Sequence, residues 1–251
     1  MTVMRRRISR TLLVAGIGLG ALWLLTAPVA STRQGVNFQV TQHRIPFYVK
    51  AIDFLHRHYA YERLAHEVMN GKTTDEARAL AVFDWTRRNI RPTPSSWPIV
   101  DDHILHIIIR GYGIADQMAD VFCTLATYAG VPAFWELIRG VPDSPPLVLS
   151  FAKIDGAWRV FDVAHGVVFA DAQGRLLDLN SLLADPTLVT SVAHSTTQPI
   201  PYAKYLDSLR PFTPPDLLRA EQQMPWPRLC LEVQRALHLG SGSHVEPDAT
   251  R

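Results

Sequence analysis

The stretch Gly111-Tyr112-Gly113-Ile114-Ala115-Asp116-Gln117-Met118-Ala119-Asp120-Val121-Phe122-Cys123-Thr124-Leu125-Ala126-Thr127-Tyr128-Ala129-Gly130-Val131-Pro132 decides the fold. From Ile114 to Ala129 it is apolar on nearly every face, the pattern of a helix buried all round. The glycines before it and Gly130 with Pro132 after it mark its two ends. Such a helix needs a second layer to pack on, and the next segments supply one. Ala133 to Arg139, Leu147 to Ile154 and Ala157 to Asp162 read as short strands, the last two joined at Asp155-Gly156 as a hairpin. The expected class is therefore α+β, a central buried helix packed on a small antiparallel sheet.

Upstream, Thr73 with Glu76 three residues later reads as a capping box that starts a helix running to about Ile90, with Leu80, Phe83 and Ile90 inward. Residues 45–69 mix apolar and charged positions in a helical manner. Pro92, Pro94 and Pro98 make 91–98 a loop, and Asp101 and Asp102 lead into a short apolar helix from Ile104 to Ile109. Downstream, Val167 to Phe169 reads as a strand and Leu176 to Leu183 as a short helix. Thr187 to Pro201 is polar and carries no pattern. A helix is expected at Asp216 to Gln223 behind Pro214 and Pro215, another from Trp226-Pro227 to near Gly240, and a frayed tail from Ser241.

The beginning of the chain points to export. Arg5, Arg6, Arg7 and Arg10 precede an uncharged run from Thr11 to Ala30, whose twenty residues at about 1.5 Å each match a hydrocarbon core of about 30 Å. The basic flank places the rest of the chain outside the cytoplasm. One reading is a transmembrane signal anchor in the cytoplasmic membrane; the other is a cleaved signal peptide and secretion, with small residues at Ala27, Ala30 and Ser31. Setting those four arginines aside leaves 21 bases against 23 acids, so the body lacks the basic excess of a nucleic-acid binder. Two cysteines in 251 residues exclude a disulfide scaffold.

Gly111 to Gln117, the buried helix, Gly130-Val131-Pro132-Ala133 and Trp158-Arg159-Val160-Phe161-Asp162 together resemble the core of a bacterial transglutaminase-like domain, the papain-like cysteine-nucleophile architecture. The resemblance covers roughly residues 75–170, and the helix with Trp85, Asn89 and Ile90 extends it upstream. It implies a Gly-x-Cys nucleophile at the start of the central helix, a His on the following hairpin and an Asp at that hairpin's end. The chemistry needs all three: the helix start lowers the thiol pKa, the imidazole forms the ion pair and the carboxylate fixes its tautomer.

On this sequence the family's Cys falls on Ala115, its His on Leu147 and its Asp on Asp162. Loss of a nucleophile costs on the order of a million-fold in turnover, so the resemblance implies a pseudoenzyme. Cys123 lies two turns beyond Ala115 and reads as a small core residue; an exported Cys123–Cys230 disulfide is the alternative to two free thiols. His165, three residues after Asp162, is either a turn residue or a general base. His103 and His106 have i, i+3 spacing but no further ligands beside them, and no metal or other cofactor is expected.

Asp116 and Gln117 either cap the helix or face the vacated cleft, and Trp158, Asp162 and His165 complete the candidate ligand-binding set. Arg219, Gln223, Pro225 and Arg228 resemble a tail of members associated with surface polysaccharide. The expected organisation is a basic flank at 1–10, an anchor at 11–30, a linker with helices at 31–72, the core at 73–186, a C-terminal helical extension at 187–240 and a tail at 241–251. The expected function is a membrane-anchored binding or assembly module of the cell envelope whose partner is a peptide, a glycan or an envelope protein. The alternative is an amide hydrolase or acyltransferase built on His165 and Asp162.

Overall fold

The computed structural model describes residues 15–20, 22–36, 39–100, 103–139, 144–185, 188, 200–209 and 212–236. A hairpin, β1 (Pro28–Gln34) and β2 (Val40–Pro46), leads into α1 (Phe47–Val68) and α2 (Asp75–Asn89). The two-residue β3 (Arg91–Pro92), α3 (Ile104–Arg110) and β4 (Tyr112–Gly113) precede the central helix α4 (Ala115–Tyr128). Then come β5 (Ala133–Ile138), β6 (Leu147–Ile154), β7 (Ala157–Asp162) and β8 (Val167–Val168), an antiparallel sheet in sequence order. Two short helices, α5 (Leu179–Ala184) and α6 (Tyr202–Asp207), a 3-10 turn at Glu221–Gln223 and α7 (Pro225–Ala236) follow.

The sheet separates two apolar layers, and strand alternation decides which residue joins which. On one side Ala133, Ala152, Ile154 and Phe161 pack with Val121, Phe122 and Leu125 of α4 and with Val82 and Phe83 of α2. On the other side Phe134, Ile138, Leu147, Leu149, Phe151 and Val160 pack with Tyr202, Tyr205 and Leu206 of α6. Central helix α4 is buried from Gln117 to Thr127, as its apolar composition requires. The β6–β7 connection puts Asp155 at φ 49° and Gly156 at φ 80°, the left-handed pair that a two-residue hairpin demands.

The expected transmembrane helix over Thr11–Ala30 is corrected. Residues 15–20 and 22–26 are helical, but the chain enters β1 at Pro28, pairing Pro28 with Pro46 and Ala30 with Arg44. Among the described residues no helix is long and apolar enough to cross a membrane. Pro28 explains the break: it has no amide hydrogen to donate and turns its predecessor away from helical geometry. Residues 1–14, with the arginine cluster and the start of the run, lie outside the described residues, as do Asp101, Asp102 and the tail from Ser241.

Smaller corrections have local causes. The cap of α2 is Thr74, whose side chain accepts from the amide of Ala77 at 3.2 Å, one residue later than Thr73. Helix α5 begins at Leu179 because Asp178 caps it, accepting from Ser181 at 2.9 Å. The helix expected over Asp216–Gln223 shrinks to one 3-10 turn. The proline loop contributes β3, which pairs in parallel with β4 and so ties the end of α2 to the entrance of the central helix. Cys123 and Cys230 are free thiols, one buried and one exposed.

Candidate functional site

Ala115 is the first residue of the central helix, at the place where a nucleophile would have the helix N-terminus behind it. Its methyl group offers neither a nucleophile nor a proton carrier. The adjoining residues are committed to structure. Gln117 is 4% exposed, and its Oε1 accepts from Arg110 at 2.7 Å and from the Ile114 amide at 3.2 Å. Its Nε2 donates to the carbonyl of Val100 at 2.8 Å, so the amide closes the helix entrance rather than facing a ligand. Packing at Gly113 is tight, since a Cβ there would lie 3.0 Å from Gln117 Cβ. Asp116 accepts from the amide of Gln117 at 2.7 Å, and burial lifts its carboxyl above the ordinary range despite Arg219 nearby.

Leu147 belongs to the layer away from the central helix. Alternation along β6 turns Val148 and Ser150 to the α4 side instead, and Trp135, which pairs with Ser150, donates from Nε1 to Asp120 on that helix. Neither Leu147 nor Val148 carries a base. Trp158 is part of the second layer too, edge-on to Phe134 at 5.1 Å, and acts as a core wall.

Asp162 is fully buried and lies on the α6 side of the sheet. Its Oδ1 accepts from the backbone amide of His165 at 2.9 Å, and its Oδ2 accepts from the phenol of Tyr202 at 2.9 Å. His165 Nδ1 lies 2.8 Å from the same Oδ2, while its side chain is 47% exposed. The bond to Asp162 raises the imidazole above its usual 6.5; burial and the Arg87 guanidinium oppose the rise. Arg87 braces the turn by donating to the carbonyls of Val163 and Ala164 at 3.3 and 2.8 Å. The sequence reading missed Tyr202 and Arg87, because a lone tyrosine after a patternless stretch and an arginine 75 residues upstream of Asp162 carry no signal of their own.

The structure thus brings Asp162 and His165 together, with Tyr202 on the same carboxylate. At the head of the central helix Ala115 carries no nucleophile. Cys123 is 4% exposed, and burial pushes its thiol well above the ordinary range. Cys230 sits exposed on α7. His103 and His106 have ring centroids 6.1 Å apart, and among the described residues no three His, Cys, Asp or Glu side chains gather to hold a metal.

Residues 62–142 match the core model of the transglutaminase-like superfamily. No curated protein matches the chain. Among solved structures, a candidate cysteine protease from Cytophaga hutchinsonii superimposes with a TM-score of 0.38 at 20% identity, over 48% of this chain and 41% of that one. A candidate protease from Parabacteroides distasonis gives 0.34 at 13% identity over 48% and 27%. A transglutaminase gives 0.34 at 11% identity over 53% and 43%. The chain therefore spans less than half the length of each of these proteins.

Proposed function

The chain carries a transglutaminase-like superfamily domain, and on that premise we propose that this copy has lost acyl transfer and serves as a binding or assembly module for a peptide, a glycan or an envelope protein. The observation that carries the reading is Ala115 at the head of α4, with both thiols of the chain elsewhere: one sealed in the core, the other on α7. A buried thiol with a raised pKa supplies almost no thiolate at neutral pH. The module works outside the cytoplasm, as part of the cell envelope or secreted; the support for that address is the arginine-rich and then apolar beginning of the chain.

The test is turnover. The purified chain is incubated with a glutaminyl peptide and hydroxylamine, and hydroxamate and ammonia are measured. The reading predicts rates equal to those of buffer. A second reading has one observation in its favour, the 2.8 Å His165–Asp162 pair with its half-exposed ring, which is the arrangement of an oriented general base. It predicts turnover that disappears in both Asp162→Ala and His165→Ala while the fold is kept, and that outcome would overturn the non-catalytic reading.

A further inference from the structure

Helix α1 is apolar on two opposite sides. On the inner one Tyr61 and Ala65 are buried, the Tyr61 ring lying 5.5 Å from that of Tyr128 in α4 and its hydroxyl accepting from the amide of Leu105 at 3.0 Å. A helix packed on one side normally shows polar residues on the other. Here Tyr48, Ile52, Leu55 and Tyr59, at i, i+4, i+7 and i+11, make a stripe on the outer side, where Ile52 and Tyr59 are 62% and 60% exposed. The stripe runs about 16 Å at a rise of about 1.5 Å per residue. A tyrosine stands at either end of two aliphatic side chains.

The apolar surface continues round the start of the helix. The amide of Phe47 donates to the carbonyl of Ala27 at 3.0 Å, and Lys50 Nζ donates to the carbonyl of Ala30 at 2.8 Å. These bonds fasten the β1–β2 hairpin, and the helical stretch 22–26 that leads into it, to the first turn of α1. Phe47, Trp23, Leu24 and Leu25 are exposed at that corner. The stretch is too short to cross a bilayer, and what it contributes is apolar surface.

Charge identifies the partner. Residues 1–60 hold eight lysines and arginines and one acid, Asp53, whereas the rest of the chain holds 17 against 22. Asp53 is already paired with Arg57, and Arg44 on the hairpin is exposed. A partner for this end must therefore be apolar and negative at once. A second copy would set like charge against like. Nucleic acid would give Ile52 and Leu55 no apolar surface to bury. The outer face of a helix is convex, which suits a deformable surface better than a peptide, whose usual seat is a groove or a strand edge. A bilayer of anionic lipid offers phosphates above and acyl chains beneath.

We propose that the outer face of α1 rests on anionic lipid. The stripe over 48–59 lies at the boundary between headgroups and acyl chains, with Tyr48, Tyr59 and Trp23 at headgroup level, where amphipathic rings settle. The helix lies on the bilayer and does not span it. This face is turned away from α4, so the proposal does not depend on whether acyl transfer has been lost at Ala115.

The experiment is flotation of the 251-residue chain with vesicles of phosphatidylcholine alone and of equal parts phosphatidylcholine and phosphatidylglycerol. The mixed vesicles take up the protein about tenfold or more better, and raising the salt from about 0.1 M to about 0.5 M weakens the uptake. Ile52→Glu lowers the partition coefficient for the mixed vesicles about tenfold or more, because it removes an aliphatic side chain from the acyl boundary and sets a carboxylate among anionic headgroups. Leu229→Glu, at an exposed apolar position on α7, leaves it unchanged. Both positions are exposed, and circular dichroism checks that the fold is kept. Equal uptake by neutral vesicles, flotation of Ile52→Glu like the parent, or an equal loss in Leu229→Glu overturns the proposal. So does a dimer that Ile52→Glu dissolves, seen by light scattering without any flotation, which would give the face to a second copy.

Discussion

Replacing Tyr202 by Phe tests the buried hub of the second layer. The hydroxyl donates to Oδ2 of Asp162 at 2.9 Å, in a place with no solvent exposure, so water cannot take over the bond. Burial, reinforced by the Asp162 charge, holds the phenol far above its ordinary range, and it remains a donor at every physiological pH. The ring itself would stay, packed edge-on against Phe169 at 5.0 Å. A hydrogen bond to a charged acceptor contributes about 1.5–3 kcal/mol. Oδ2 keeps its His165 partner and Oδ1 keeps the His165 amide, which places the loss near about 2 kcal/mol. With a urea slope of about 3 kcal/mol/M, the unfolding midpoint falls by about 0.7 M. Urea titration followed by circular dichroism and by tryptophan fluorescence measures it, provided the two transitions coincide. A fall below about 0.2 M would show that the carboxylate does not depend on this donor and would refute the hub.

Two further perturbations probe the same corner. The folded state raises the pKa of His165 above its usual 6.5, chiefly through the Asp162 bond, so it holds the proton more tightly than the unfolded chain. That contribution is complete below the unfolded value and is lost as pH rises through the folded one. His165→Gln should therefore destabilise more at about pH 6 than at about pH 9, and an equal cost at both would contradict the pairing. Gly166 has φ 72°, and an added Cβ would lie 2.8 Å from the guanidinium of Arg87. Gly166→Ala should cost about 2 kcal/mol, combining the left-handed penalty with displacement of the arginine that braces the turn. A neutral result in thermal unfolding would show that the turn does not depend on this contact.

The central helix and its strands were legible because their causes are local. An all-apolar run closed by Gly130 and Pro132, and a turn at Asp155-Gly156, each admit one structure, and α4 and β5–β7 follow. The β1–β2 hairpin was not legible: its strands are largely polar (Thr, Gln, Arg and His), pair among the described residues only with each other, and lack the alternation that a buried face imprints. At the site, the vacancy at Ala115 was readable from a residue type at a helix start. The facing of Leu147 was not, since the side of a strand that meets a helix depends on register, and one residue reverses it. Gln117 was left between two roles because its three bonds reach Arg110, Ile114 and Val100, an arrangement that only the folded chain assembles. The i, i+3 spacing of Asp162 and His165 left His165 open between a turn residue and a base, and Tyr202, 40 residues away, was invisible.

The claim that this domain holds no activated thiol is tested most directly by alkylating Cys123 across pH in the Cys230→Ser chain, beside an unfolded control. Reactivity reports thiolate character and exposure. The structure predicts that Cys123, buried and with its pKa pushed well up, reacts only as the protein unfolds. Rapid labelling of the folded protein, with a midpoint well below the free-thiol value of about 8.5, would contradict the account and restore a cysteine nucleophile to the domain.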